Sequence, residues 1–248
     1  MKGSVDFRIA LPFILIFAEI FRPGGKGMIA CYRIQLILLL LLTFSASLLY
    51  AQQPLPPDID PVSYSRLPPV QKRDLDEEGR RVFEMVHGED AQGASTGPGN
   101  VSFYNIEVAR AMHILNQAVR YNSVIGRRNT EIAILVVARE FDQQYEWSRH
   151  EVIARNEKMP EEIIDTIKYK RDTDGLDPEA SLIIRYGREI MRDHRLSSDV
   201  FAEAVERFGH KGAFEIAAVM GDYVMAGIML HAVDQHLPAD EEPTMPVE

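Results

Sequence analysis

The sequence predicts an all-α protein, and three observations support that prediction. Apolar residues recur every three or four positions from Tyr104 onward, as in Val108, Met112 and Leu115. Strong helix-start signals precede several of these stretches. No segment alternates apolar and polar residues with a strand period for long, and no hairpin dipeptide separates two apolar runs. We therefore expect a helical bundle made of two loosely similar halves, about 104–172 and 177–237.

Residues 1–51 are predicted to be a leader that precedes this bundle. Residues 34–44 are largely apolar, Arg33 comes before them, and Ala51 supplies a small residue at the end, which is the arrangement of a secretory signal peptide. Met28 is a natural start for that signal. The uninterrupted apolar run is much shorter than the roughly 20 residues that span a bilayer. We expect a periplasmic or secreted protein with no stable membrane span after cleavage, and an uncleaved N-terminal anchor is the alternative.

A proline-rich stretch and a helical domain follow the leader. Prolines are frequent in residues 52–72, which predicts an extended tether. The helical domain is expected over 73–237, with a first helix at 73–87 and a loop in the glycine-containing residues 91–100. Residues 238–248 form an acidic segment that we expect to be solvated.

The helices of the domain can be placed from their starts and breaks. Asn129 is expected to cap a helix that is apolar on most sides and should therefore be central. Asp177 followed by Pro178 is a strong helix start. Gly209 is expected to end a helix, and the last long helix should begin near Ala213. The remaining helices are expected at 104–119, at 144–157, after Pro160, and after Ser197 or Ser198.

Charge and cysteine content exclude several functions. The chain has 27 basic and 37 acidic residues, of which five basic and two acidic residues lie in the leader. The expected mature protein keeps 22 basic and 35 acidic residues and therefore carries a net charge of −13. Nucleic acids and anionic membranes need a basic footprint, and we expect neither as a partner. The single cysteine, Cys31, lies in the leader. The mature chain is therefore expected to use no disulfide, thiolate nucleophile or cysteine-ligated metal.

The candidate catalytic residues are Glu131, Glu146 and His150. Glu146 and His150 are four residues apart, which on a helix places them on one face, about 40° apart around the axis. Glu131 can reach them only if its own helix packs alongside. Two carboxylates around an imidazole suit proton transfer in a partly apolar pocket. The alternative interpretation is a surface pair that contributes a few tenths of a kcal/mol.

The same residues carry a resemblance to a known family. The segment Arg128-x-x-Glu131, the apolar run that follows, Tyr145-Glu146-Trp147 and His150 resemble the carboxymuconolactone decarboxylase family, which includes the alkylhydroperoxidase D-like proteins. Phe214-Glu215-Ile216 and Gly221-Asp222-Tyr223-Val224-Met225 resemble its closing helix, so that the resemblance covers roughly 95–237. It implies an alkylhydroperoxidase D-like helical bundle, self-association into trimers or hexamers, and a proton-relay site between helices. The Tyr-Glu-Trp-x-x-His form is similar to a divergent subgroup.

The resemblance also bears on the reaction. In the peroxidase branch a Cys-x-x-Cys-x-x-x-His arrangement carries the chemistry, and Gln143 and Glu146 stand at the two cysteine positions here. Peroxide reduction is therefore disfavoured, because its nucleophile is a thiolate. The decarboxylase branch acts on a carboxylated lactone without a cofactor. This implies a lyase for a small carboxylated molecule, with Glu131 and His150 as relay members and no cofactor or metal.

Three aromatic residues are candidate substrate-binding residues. Tyr145 and Trp147 flank Glu146, and Tyr104 stands where the family often has a histidine. Packing is the alternative role of Tyr145 and Trp147, since aromatic side chains dominate core burial.

Two other functions remain open at this point. The first is a metal site, in which His231 or His236 would join the three candidate catalytic residues as ligands. The second is a secreted binding or scaffold oligomer, in which the same polar residues form a satisfied structural network.

Overall fold

The described part of the protein is a bundle of helices. A computed structural model describes residues 55–94 and 96–246, and no β-strand occurs within these ranges. The expected signal peptide and residues 52–54 lie outside them. The helices are α1 (Glu77–His87), α2 (Pro98–Val101), α3 (Ile106–Asn116), α4 (Arg127–Glu140), α5 (Gln144–Asn156), α6 (Glu161–Lys168), α7 (Pro178–Arg188) and α8 (Ser198–Ala232). The predicted all-α class is confirmed.

Helix α4 forms the centre of the bundle, as its apolar composition predicts. Every residue from Asn129 to Arg139 is buried. The helix packs against α5, α6, α7 and α8. Such a helix has no polar face for solvent and is stable only when neighbours surround it. Its first turns carry Glu131 into the interior, where the residue is completely buried.

The helix boundaries follow local signals in most places. Asp177 caps α7 by accepting a hydrogen bond from the Ala180 amide, with Pro178 in the first turn. Gly209 interrupts α8 with a φ of 69°, a conformation that favours glycine. Asn129 is not the cap of α4, which begins two residues earlier. Its side-chain amide donates instead to the Ile125 carbonyl and to Glu179.

The first helix is shorter than the sequence predicts. Residues Lys72–Asp74 form a separate 3-10 turn, and α1 begins after Asp76. The Asp76 carboxylate accepts a hydrogen bond from the Gly79 amide, so this side chain sets the start of the helix.

The proline-rich segment differs from the predicted tether. Residues 63–66 lie against the chain that follows α8, and residues 70–72 pair with residues 92–94. The Arg66 amide donates to the Val233 carbonyl, and the His236 amide donates to the Tyr64 carbonyl, each at 2.8 Å. The Gln235 side chain also donates to the Ser63 carbonyl. The prolines prevent this segment from forming a helix, and these hydrogen bonds give its backbone groups partners instead. Ser63 is buried in this contact.

The acidic C-terminal segment is also anchored, in contrast to the expected solvated tail. Glu241 forms an ion pair with Arg149 of α5 at 2.8 Å. Thr244 donates to the buried carboxylate of Glu151, and Met245 is buried in the main core. An apolar side chain and two polar contacts therefore hold the described part of this segment against α5.

Among the described residues one helix, α8, is long and apolar enough to cross a membrane by length and composition alone. About 56% of its apolar window is buried inside the bundle. A core helix meets the same criteria, so this is weak evidence for a membrane span.

Candidate active site

Packing of α4 beside α5 brings the three predicted catalytic residues together. Nδ1 of His150 lies 2.6 Å from Oε2 of Glu131, and Nε2 of His150 lies 3.4 Å from Oε2 of Glu146. All three side chains are buried, with exposures between 0% and 6%. The imidazole therefore bridges two carboxylates that belong to different helices.

Glu131 is held by cations as well as by the histidine. Arg120 donates to its Oε1 through Nε and Nη2, at 3.1 and 3.0 Å. Arg127 lies 2.8 Å from the same oxygen. Burial alone would raise the pKa of Glu131, but the hydrogen bond to His150 and the two guanidinium groups lower it below the ordinary value. Glu131 is therefore an anion at neutral pH.

The two carboxylates favour the charged form of His150. Burial would lower the pKa of the imidazole, but its hydrogen bonds to Glu131 and Glu146 raise the pKa above the ordinary value. Tyr223 packs edge-on against the ring, with centroids 4.9 Å apart and an angle of 88°. This contact fixes the ring plane, so both nitrogen atoms stay aimed at their carboxylates.

A cavity of about 340 Å³ opens beside this group. His150 and Glu146 line it, together with Asp222 and Tyr223 of α8. Oε1 of Glu146 is buried and has no hydrogen-bond partner among the described residues. A buried carboxylate oxygen normally has a donor, so the orphaned atom marks where a ligand donor or proton can be received.

Asp222 adds a second carboxyl group to the wall of the cavity, beside that of Glu146. Asn116 donates to its Oδ2 at 3.0 Å. Burial raises the pKa of Asp222, and the charge of Glu146 raises it further, although the Asn116 hydrogen bond acts in the opposite direction. The pKa of Asp222 is thus raised while that of Glu131 is lowered, so the two carboxyl groups differ in how readily they hold a proton.

Of the three predicted substrate-binding residues, one lines the cavity and two lie outside it. Tyr145 lines the cavity, and its hydroxyl lies 2.6 Å from that of Thr96. Trp147 does not line it: the indole is completely buried in the main core and donates to Glu151. Tyr104 is about half exposed and donates to the Pro68 carbonyl, away from the cavity. Tyr145 is therefore the one of these three residues that lines the cavity, whereas Trp147 faces the core and Tyr104 anchors the proline-rich segment.

The additional histidines of the metal hypothesis lie elsewhere. His231 pairs with the Phe141 carbonyl, and His236 lies beside Asp234. Within residues 55–94 and 96–246 no group of three or more His, Cys, Asp or Glu side chains is arranged to hold a metal ion.

Sequence reasoning missed Arg120, Asn116 and Asp222. Arg120 lies in a π-helical turn, Gln117–Tyr121, that follows α3, and such turns often occur at functional sites. Asp222 is an acidic residue inside a long apolar helix, which is a usable signal. It was noted only as part of the family resemblance, and nothing local indicates that it faces Glu146.

Comparison with known proteins adds no family. No family model, no curated protein and no solved structure matches this chain.

Proposed function

We propose that this protein is a cofactor-independent lyase that decarboxylates a small carboxylated lactone or a related acid by means of a Glu131–His150–Glu146 proton relay. The observation that carries the proposal is the buried Glu131–His150–Glu146 group, of which His150 and Glu146 line the cavity and Glu146 keeps one carboxylate oxygen without a partner among the described residues. A site that handles protons in a small, partly apolar space is suited to this chemistry.

The residues divide the reaction between them. Loss of CO2 breaks a carbon–carbon bond and leaves the electron pair on the substrate as an enolate, conjugated with a neighbouring carbonyl. His150 is the general acid, and Glu146, whose Oε2 lies 3.4 Å from its Nε2 and which also lines the cavity, is the acid/base group that passes the proton to carbon. Glu131 holds Nδ1 and keeps the imidazole charged. Solvent then returns one proton to the relay, so one proton replaces each CO2.

The family resemblance supports the same function and extends it. An alkylhydroperoxidase D-like bundle, assembly into trimers or hexamers, and work in the periplasm or outside the cell are parts of this proposal. Cysteine-dependent peroxidase chemistry is not, since Gln143 and Glu146 occupy the positions of the redox cysteines.

Consumption of carboxymuconolactone by the purified full-length protein tests the reaction. We expect turnover in the native chain and a loss of at least 100-fold in His150→Ala, in the range typical of a general acid. The matched control is His231→Ala, which removes a histidine outside the cavity and should keep full activity. Circular dichroism should show the same helicity in all three proteins. Turnover that survives His150→Ala would contradict the relay, and no turnover in the native chain would remove this substrate.

A structural role for the polar network is the second candidate. Both oxygens of Glu131 are occupied by its partners, as in a network that only stabilises the fold. The protein would then be a secreted binding or scaffold oligomer. This function is favoured if His150→Ala lowers the melting temperature while no small carboxylated substrate is consumed by the native chain.

A further inference from the structure

The rim of the cavity carries an arginine that the proton relay does not use. Arg149 lies one residue before His150 and lines the cavity. Its guanidinium group stacks over the Tyr145 ring, 4.9 Å from the centroid, and its side chain is 36% exposed. The guanidinium group of Arg149 therefore contacts both the solvent and the cavity, and its stacking on Tyr145 restrains its position.

The partner of this arginine comes from the C-terminal segment. Nη1 of Arg149 donates to Oε1 of Glu241 at 2.8 Å. Glu241 belongs to neither helix of the relay, and the pair is partly exposed on both sides, at 36% and 35%. Exposed pairs of this kind contribute little to stability and exchange readily with other anions.

We propose that Arg149 is the anchor for a carboxylate group of the ligand, and that Glu241 occupies this anchor while the cavity is free. The proposal rests on the proposed function in one respect, namely that the cavity takes a small carboxylated molecule. Glu146 and Arg149 are three residues apart on α5, a rise of about 4.5 Å along the helix. A ligand held by one carboxylate at Arg149 can therefore present a neighbouring carbon to Glu146 and His150.

The energetics of decarboxylation decide which carboxylate of the ligand Arg149 holds. An arginine that neutralises the leaving carboxylate would oppose its loss as CO2, because the pair stabilises the ground state more than the transition state. Arg149 therefore binds a carboxylate that stays on the product. The ligand class is a small molecule with a second acidic group, of a size that fits about 340 Å³.

Binding of benzoate and benzamide to the full-length protein tests the anchor without any turnover. The two probes have nearly the same shape, and only benzoate is charged. We expect Glu241→Gln to tighten benzoate binding by about two- to fivefold, the strength of an exposed ion pair. Arg149→Gln should weaken benzoate binding by about tenfold or more, as expected for loss of a charged hydrogen bond, and Arg149→Lys should restore part of it. Benzamide binding should change in none of them.

The matched control is Glu203→Gln. Glu203 pairs with Arg185 at 2.6 Å, both side chains are 36% exposed, and neither lines this cavity. This variant should bind benzoate as the native protein does, which separates competition at Arg149 from a general change in charge. Calorimetric melting of each variant verifies that it is folded.

Equal benzoate affinity in the native protein and Arg149→Gln would overturn the anchor, and so would the absence of benzoate binding in both the native and Glu241→Gln proteins. The outcome is independent of the relay. If carboxymuconolactone is not consumed but Glu241→Gln tightens benzoate binding, the proposed reaction fails and the anchor stands.

Discussion

Replacing Glu131 by glutamine removes one charge from the centre of the relay while preserving the shape of the side chain. Glu131 is completely buried and contacts three cationic or titratable groups. Arg120 and His150 are themselves only 11% and 5% exposed, so water cannot replace the lost anion. An amide oxygen still accepts a hydrogen bond, but it does not compensate a buried guanidinium charge.

The expected loss in the free energy of unfolding is about 3 kcal/mol, at the lower end of the range for breaking a buried ion pair. The more exposed Arg127 adds little because solvent screens it. For a chain of this size, this corresponds to a fall in melting temperature of about 6–12 °C. Urea unfolding followed by circular dichroism, together with calorimetric melting, measures both quantities on the full-length protein.

The effect should also depend on pH, since the pKa of His150 is raised in the folded protein. A raised pKa contributes stability that is present below the unfolded value of about 6.5 and is lost as pH rises through the folded value. Glu131→Gln removes the contact that contributes most to this elevation. The difference in unfolding free energy between the native protein and the variant should therefore be larger at pH 6 than at pH 9.

Glu151→Gln is the matched control for this experiment. Glu151 is buried to a similar extent and pairs with Lys168 and Arg155, but it does not contact His150. Its replacement should lower stability without changing the pH dependence between pH 6 and 9. A loss below 1 kcal/mol in Glu131→Gln, or a loss that is the same at both pH values, would refute the charged relay.

Three further predictions concern the walls of the cavity and the core. Gly97→Ala should lower the free energy of unfolding by about 1–3 kcal/mol. Gly97 has a φ of 74°, and a Cβ atom there would lie 2.6 Å from Cζ of Tyr145. Urea unfolding measures the loss, and an unchanged midpoint would contradict it. Asp222→Asn should be at least as stable as the native protein at pH 7. The pKa of Asp222 is raised in the folded protein, so the native fold loses stability as the pH rises from the unfolded pKa through the folded pKa, and the amide cannot ionise. Melting of both proteins at pH 4 and pH 7 tests this, and a variant less stable than the native protein at pH 7 would contradict it. Trp147→Phe should cost about 2 kcal/mol in stability but leave benzoate binding unchanged, and altered binding would show that this residue contacts the ligand after all.

The sequence could predict the relay because its evidence is local. The i,i+4 spacing of Glu146 and His150 fixes their common face on any helix. The apolar composition of the preceding helix indicates a central position, and a central helix must pack beside its neighbour. These two facts do not single out Glu131, which the family resemblance indicated, and its distance of 2.6 Å from His150 required the structure.

The remaining features depend on contacts between distant parts of the chain. Arg120 and Asp222 are 11 and 91 residues from Glu131 in sequence, and no periodicity in one segment predicts which residue of another segment it faces. The two ends of the described chain illustrate the same limit. Their composition is typical of solvated segments, but carbonyl acceptors after α8 and the buried Glu151 provide partners that composition cannot indicate.

The arrangement of charge around His150 explains why two similar carboxylates have different roles. Glu131 has its oxygens occupied by two arginines and the imidazole, so its proton affinity is low and its position is fixed. Glu146 faces the same ring and lines the cavity, and one of its oxygens has no partner among the described residues. In the proposed reaction, a proton that leaves His150 therefore moves toward Glu146 and not toward Glu131. The two arginines direct the proposed transfer in this way because they hold Glu131 as an anion.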